Sequence, residues 1–245
     1  MKEISCNAIC IRSIDYKDND KLITLYAQDI GKILVNARGV KKAKAKLRYA
    51  SNVFCFGKYY LTENKGYYTL IGCDMMDSFY DIWSDIDKYY PALAVIEILD
   101  KLSLDSEISN QLFSNVIDFL NEIAYKKIHN ISMYMAKFLY DTLSLIGYHI
   151  STKGCNVCGR QTSDSVYFSN NLGGIVFDCC KDSEAIKLTT EEFCLIKDIE
   201  NDKISFSYSS EVFSKIIYLF IRYFEAILTK RLVACKEYYN FITNL

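Results

Sequence analysis

The apolar pattern of this chain changes period once, near residue 78, from short alternating runs to spacings of three and four. Before that point five segments read as strands: Ile4 to Ile14, Lys21 to Ala27, Lys32 to Ala37, Val53 to Leu61 and Tyr67 to Cys73. Turn chemistry separates them at Asp18-Asn19-Asp20, Asp29-Ile30-Gly31 and Asn64-Lys65-Gly66. Five short strands cannot hide both faces of a flat sheet. A small closed or nearly closed barrel is therefore predicted, and the oligonucleotide-binding (OB) barrel has this strand count.

Beyond residue 78 the stripes are helical. Leu112, Val116, Phe119, Leu120 and Ile123 follow a possible N-cap at Ser109, and Met135, Phe138, Leu139, Thr142 and Ile146 lead to Gly147. The clearest stripe is Phe213, Ile216, Ile217, Phe220, Phe224, Ile227 and Leu228, and Thr189 to Glu192 fits a capping box opening the helix before it. Such stripes are core faces rather than cofactor sites. The resulting fold class is α+β and multi-domain: a five-stranded barrel over 1–77, a helical domain over 78–150 and 185–245, and a zinc-finger-like insertion over 151–184.

Positive charge is concentrated in one place. GKILVNARGVKKAKAKLRY, Gly31 to Tyr49, holds Lys32, Arg38, Lys41, Lys42, Lys44, Lys46 and Arg48 without one acidic residue, in a chain whose formal net charge is −1. Lysines spaced by Ala cannot enter a core without a prohibitive desolvation cost, so they project into solvent or onto a polyanion. A nucleic-acid backbone is the obvious candidate, and a solvated loop is the bland alternative. The block falls in the long connection after the third strand, at the rim of a barrel. Tyr49, Phe54, Phe56 and Tyr59 lie close by in sequence as candidates for stacking on bases, although alternation turns some of them inward.

The insertion carries Cys155-Asn156-Val157-Cys158-Gly159 and, later, Gly173-Gly174 followed by Cys179-Cys180. Two residues between cysteines let both thiolates face one ion, and the following Gly permits the turn that aims amides at the sulfurs. Adjacent cysteines in an extended segment point to opposite sides. Cys180 is thus the better ligand, with Cys179, Asp178 or His149 competing for the remaining place, and the metal implied is a structural zinc. Cys6, Cys10, Cys55, Cys73, Cys194 and Cys235 sit singly among apolar residues and read as structural thiols rather than disulfide partners.

Several classes are disfavoured. A composition of 51% hydrophobic residues suits a packed core, not disorder. There is no long apolar run of membrane-spanning length, and the segment MKEISCNAICIRS lacks a secretory core, so a cytoplasmic protein without a membrane partner is expected. His129 and His149 are the only histidines, neither with a Glu two residues on, and no phosphate-binding loop or nucleophile elbow occurs. Catalysis is not expected.

These segments together resemble the RecO family of bacterial DNA repair proteins, which are recombination mediators. The resemblance rests on Asn7-Ala8-Ile9-Cys10, Asp20-Lys21-Leu22, Ala37-Arg38-Gly39-Val40-Lys41-Lys42 and Lys44-Ala45-Lys46-Leu47. It continues through Lys137-Phe138 before Leu143, Leu145 and Gly147-Tyr148, to Cys155-x-x-Cys158-Gly159 with Gly173-Gly174 and Cys180. The order of these segments, more than any one of them, carries it. Two departures stand out: Phe177 occupies a position where the family often has a cysteine, and Thr229-Lys230-Arg231 replaces a basic-then-serine pattern. The resemblance implies an OB barrel followed by an all-α domain with a zinc insertion. It also implies binding of single- and double-stranded DNA by Arg38, Lys41, Lys42, Lys44, Lys46 and Arg48, and annealing of complementary strands. Loading of recombinase on strands coated by the single-stranded DNA-binding protein (SSB) would follow, with RecR and the SSB C-terminal tail as partners. Lys137 beside Phe138 suits a tail ending in an apolar side chain and a carboxylate; the bland reading makes Phe138 core and Lys137 a solvated neighbour. The competing function is a zinc-ribbon adaptor that binds protein and whose lysines are incidental.

Overall fold

The computed structural model describes residues 2–103, 109–126, 130–205 and 207–244. It divides into two compact units, Met1–Lys126 and Lys127–Leu245. In the first, β1 (Lys2–Tyr16), β2 (Asp20–Ala27), β3 (Gly31–Ala37), β4 (Phe56–Asn64) and β5 (Tyr67–Asp77) close a barrel in the order β1-β2-β3-β5-β4. β1 is long enough to serve two neighbours: Lys2 to Ile9 pair with β4, and Ala8 to Tyr16 pair with β2 across an irregularity between Cys10 and Arg12. Such an irregularity bends a strand and increases its twist, which is what closure of so small a sheet demands. The barrel closes through a short parallel pairing, Val35 with Tyr68 and Asn36 with Thr69.

Small side chains fill the interior. Cys6, Ala8, Cys10, Ala27, Ala37, Ala50, Cys55 and Cys73 pack with Ile23, Leu25, Val35, Tyr59 and Leu61. These four cysteines are the space-filling thiols expected from their apolar surroundings, and Cys235 is likewise buried, while Cys194 is half-buried. Gly57 is needed where β4 approaches β5, because a Cβ there would lie 2.5 Å from the Asp74 carbonyl oxygen. β4 begins at Phe56, not Val53: Phe54 adopts a left-handed conformation at φ 68°, which breaks the strand before it starts.

Three helices complete this unit: α1 (Tyr80–Ser84), α2 (Ile86–Leu102) and α3 (Asn110–Tyr125). Ser109 caps α3 by accepting from the Leu112 amide. The apolar face of α3 is buried, with the Phe113 ring 6.0 Å from both Tyr26 and Phe56 of the barrel. The helical stretch from residue 78 is therefore shared between units, α1 to α3 falling with the barrel.

The second unit contains α4 (Ile131–Leu145), β6 (Val166–Ser169), β7 (Gly174–Phe177), β8 (Ile186–Lys187), α5 (Thr190–Glu200), α6 (Ser210–Leu228) and α7 (Val233–Thr243). α4 packs along α6, and the stripe running from Phe213 to Phe224 is its core face. Thr189 and Glu192 form the reciprocal capping box that opens α5. β6 and β7 of the insertion join β8, just beyond it, in a three-stranded antiparallel sheet, β7-β6-β8, whose Phe168 packs 6.3 Å from Phe220 and 5.8 Å from Tyr223 of α6. Among the described residues no helix is long and apolar enough to cross a membrane.

Candidate functional site

The connection from β3 to β4 carries the basic block as a lip on the barrel. Its root is fixed. Val40 is 2% exposed and belongs to the barrel core, while Leu47 and Tyr49 pack against that core. The turn between β1 and β2 holds the same root: the Gly39 amide donates to the Asp20 carboxylate at 2.8 Å and the Lys41 amide to the Asn19 carbonyl at 3.0 Å. At the far end the Tyr49 hydroxyl donates to the Cys73 carbonyl on β5.

Within this frame the cations divide into two groups. Lys32 reaches α2, where it contacts the Asp100 carboxylate at 3.4 Å and its carbonyl at 3.1 Å. Lys41 donates to Asp15 at 2.7 Å, and that bond draws the Asp15 carboxyl below its ordinary range. The Arg48 guanidinium donates to the carbonyls of Lys41 and Lys42, stapling the loop from within. Arg38, Lys42, Lys44 and Lys46 are exposed and form no ion pair among the described residues. The even row of six cations expected from sequence is thus four free charges and two that also hold the loop's shape. The aromatic candidates fare differently. Phe54 and Tyr59 are completely buried, the Tyr59 hydroxyl bonding the Ala50 and Cys55 carbonyls, and Phe56 lies edge-on to Phe113. With the Tyr49 hydroxyl committed to β5, none of the four is an open stacking platform, because each is used to join the lip or β4 to the core.

The cysteines converge in the insertion. The Cys155 amide donates to the Arg160 carbonyl and the Gly159 amide to the Cys155 carbonyl, with Gly159 at φ 70°, so the first pair forms a tight knuckle. Cys180 arrives from the turn after β7, and the sulfurs of Cys155, Cys158 and Cys180 lie within 4.8 Å of one another. Cys179 stands outside that mutual group, yet its sulfur is 3.9 Å from Cys158 and 3.5 Å from Cys180. The expectation that adjacent cysteines diverge is corrected here. Residues 178–180 are not extended: the amides of Cys180 and Lys181 both bond the Phe177 carbonyl, and the turn brings the two thiols to one side. The other two competitors have partners elsewhere. Asp178 pairs with Lys181 at 2.6 Å, and His149 lies 3.2 Å from the Ser144 hydroxyl and 3.6 Å from the Glu200 carboxylate. His129 is outside the described residues.

The thiols of Cys155, Cys158 and Cys180 are close enough to hold a metal ion, and zinc, whose sulfur ligands at about 2.3 Å are spaced by roughly 3.8 Å, suits such a set. The electrostatics agree. Burial opposes ionisation of Cys155, but the amides of Cys158, Val157 and Phe177 outweigh it and hold that thiol at about 7. Crowding by the thiols of Cys179 and Cys158 pushes Cys180 up to about 12. The Cys155 sulfur is favoured as an anion while Cys180 is held to its proton, a state that a divalent cation displaces in favour of thiolates.

On α4, Phe138 is 5% exposed and faces the core, and Lys137 donates at 2.6 Å to both Asp141 and Asp202. The slot-plus-cation expected of this pair is not open, since the ring is packed and the cation is shared by two carboxylates.

Known families match both halves of the chain. A model described as "Recombination protein O N terminal" matches residues 1–79 and one described as "Recombination protein O C terminal" matches residues 83–233. The chain is 30% identical over 213 residues to "DNA repair protein RecO" of Clostridium novyi, covering 84% of this chain and 81% of that one. It is 26% identical over 222 residues to the protein of that description from Acetivibrio thermocellus (89% and 87% covered), and 28% over 204 residues to that from Clostridium perfringens (83% and 82%).

Proposed function

The chain belongs to the recombination protein O family, with a role in DNA repair and recombination, and we propose that it performs that role by holding polynucleotide phosphates on the barrel lip without reading bases. The observation that carries this reading is the set of four cations without an ion pair among the described residues, Arg38, Lys42, Lys44 and Lys46, on a loop whose root is fixed by Val40, Asn19 and Asp20. Each cation placed on a phosphate releases a condensed counterion, a contribution indifferent to sequence. Such indifference suits binding of single- and double-stranded DNA, and annealing, in which two arbitrary complementary strands must be held while they pair. The protein acts by binding rather than by catalysis, in the cytoplasm at the nucleoid.

Zinc, held by Cys155, Cys158, Cys180 and Cys179, would be structural: it would tie the knuckle to the turn after β7. RecR and the C-terminal tail of SSB are the proposed partners in loading recombinase. If the tail docks at Lys137, its carboxylate must displace Asp141 and Asp202, so that contact forms only by exchange of ion pairs.

The test replaces Lys41, Lys42, Lys44 and Lys46 together by Ala and follows annealing of complementary oligonucleotides, with circular dichroism as the control for folding. Annealing is expected to be lost with the fold intact. DNA affinity equal to that of the parent chain would overturn the assignment of the lip.

A further inference from the structure

The barrel unit also carries a surface of the opposite character. From Asp74 to Asp87 the chain holds Asp74, Asp77, Asp81, Asp85 and Asp87 and no Lys or Arg. None of these forms an ion pair among the described residues. The nearest cation in sequence, Lys88, donates to the Ala124 carbonyl at the end of α3. Interleaved with the carboxylates are large apolar side chains in the open: Met75 is 49% exposed, Met76 56%, Tyr80 71%, Trp83 46% and Ile86 58%. Tyr80 and Trp83, three residues apart, share one face of α1, which Met75 and Met76 precede at the end of β5 and Ile86 follows at the start of α2. The patch has a rigid floor: the buried Phe54 ring meets Trp83 edge-on at 5.5 Å and Tyr89 at 6.3 Å, and Trp83 lies 5.5 Å from Tyr89. Phe54 and Phe79, both buried, hold left-handed conformations beneath it, at φ 68° and 47°, which bulky residues adopt only when their surroundings enforce it.

Exposed Trp, Tyr and Met on a supported floor are the composition of a protein interface, and a monomer rarely leaves such a cluster open without use. The charge selects the occupant. Asp74 and Asp77 accept from the Tyr60 and Tyr125 hydroxyls and Asp85 caps α2, so the carboxylates keep their negative charge without an ion-pair partner among the described residues; they repel a polynucleotide and attract a cationic chain, whose Arg side chains also sit well over Trp and Tyr faces. We propose that this face docks a basic, apolar protein segment in which Arg or Lys alternates with aliphatic side chains. It is a second site, independent of the lip.

Trp83 is the one tryptophan of the chain, so its emission reports this face alone. Titration with a synthetic peptide alternating Arg with Leu is expected to blue-shift Trp83 saturably. A peptide alternating Arg with Ser is expected to bind at least tenfold more weakly, as is the Arg-Leu peptide to a chain carrying D81N, D85N and D87N. Asn is as good an N-cap as Asp at position 85, so this variant keeps α2. A single-stranded oligonucleotide is expected to leave the emission unmoved. The proposal is overturned if the Arg-Leu peptide gives no shift or binds the triple variant equally well. It is also overturned if the oligonucleotide shifts Trp83, or if sedimentation shows self-association that the triple variant abolishes, which would make the occupant a second copy.

Discussion

Replacing Lys44 by Ala and replacing Lys41 by Ala remove the same formal charge from the same loop, yet the structure assigns them different consequences for DNA binding. Lys44 is exposed and unpaired; Lys41 already neutralises Asp15 at 2.7 Å. In single-strand binding the slope of log K against log salt is about −0.7 for each phosphate neutralised. Engagement of Arg38, Lys42, Lys44 and Lys46 on four phosphates therefore gives a slope near −2.8, a loss of roughly 50-fold in affinity between about 50 and about 200 mM salt. Lys44→Ala should move the slope to about −2.1, and joint replacement of Lys42, Lys44 and Lys46 should leave about −0.7, only a roughly threefold loss over the same range. Lys41→Ala should leave the slope within about 0.2 of the parent value, because that ammonium has no phosphate to neutralise while Asp15 holds it. Fluorescence anisotropy of a labelled oligonucleotide across a salt series measures all four slopes. A parent slope near zero, or Lys41→Ala and Lys44→Ala altering it equally, would refute the division of the lip into bound and free cations.

Three further outcomes follow from the coordinates. Elemental analysis should find about one zinc per chain, lost in Cys155→Ser but retained in Asp178→Asn and His149→Gln, since Asp178 and His149 have partners in Lys181 and Glu200. Gly57→Ala should destabilise the barrel unit by about 1–3 kcal/mol, read as a lowered urea midpoint, because the new Cβ meets the Asp74 carbonyl. Glu200 is opposed in its charge by burial but drawn below its ordinary 4.5 by the hydroxyl and amide of Thr152. Its folded value is depressed, so its stabilisation is complete above 4.5 and disappears as pH falls through that lower value. Glu200→Gln should accordingly be less stable than the parent at neutral pH, with thermal melts converging on acidification; a constant difference would contradict the assignment.

Much of the fold is visible in local pattern. Alternation marked all five barrel strands, and Ser109 and Thr189 marked helix starts, because both signals depend on neighbours within a few residues. The strand expected from Val53 began late because Phe54 is held left-handed by its packing against Trp83 and Tyr89, partners some thirty residues away. β6 and β7 carry no readable signal for a different reason: each is four residues long, and every residue of β7 is buried, so no alternation exists there. That Cys155, Cys158 and Cys180 belong together was legible from their spacing, but the positions of Cys179 and Cys180 depend on whether the chain turns after Phe177, which the residue types alone do not state. The pairing of Lys41 with Asp15 is set by the β1-β2-β3 meander, in which Lys21 pairs with Asp15 on one side and Ala37 on the other, and not by the closure of the barrel at β3 and β5.

That closure has a mechanical side. The parallel junction of β3 with β5 consists of two residue pairs, against eight between β1 and β2 and nine between β4 and β5, so it is the seam along which the barrel first unzips. Because β5 lies between β3 and β4 in the closed order, the chain from β3 to β4 crosses over it like a buckle, fastened by Tyr49 to the Cys73 carbonyl. A load drawn taut across the buckle would press the seam shut, and amide hydrogen exchange at Val35, Asn36, Tyr68 and Thr69 would slow in step.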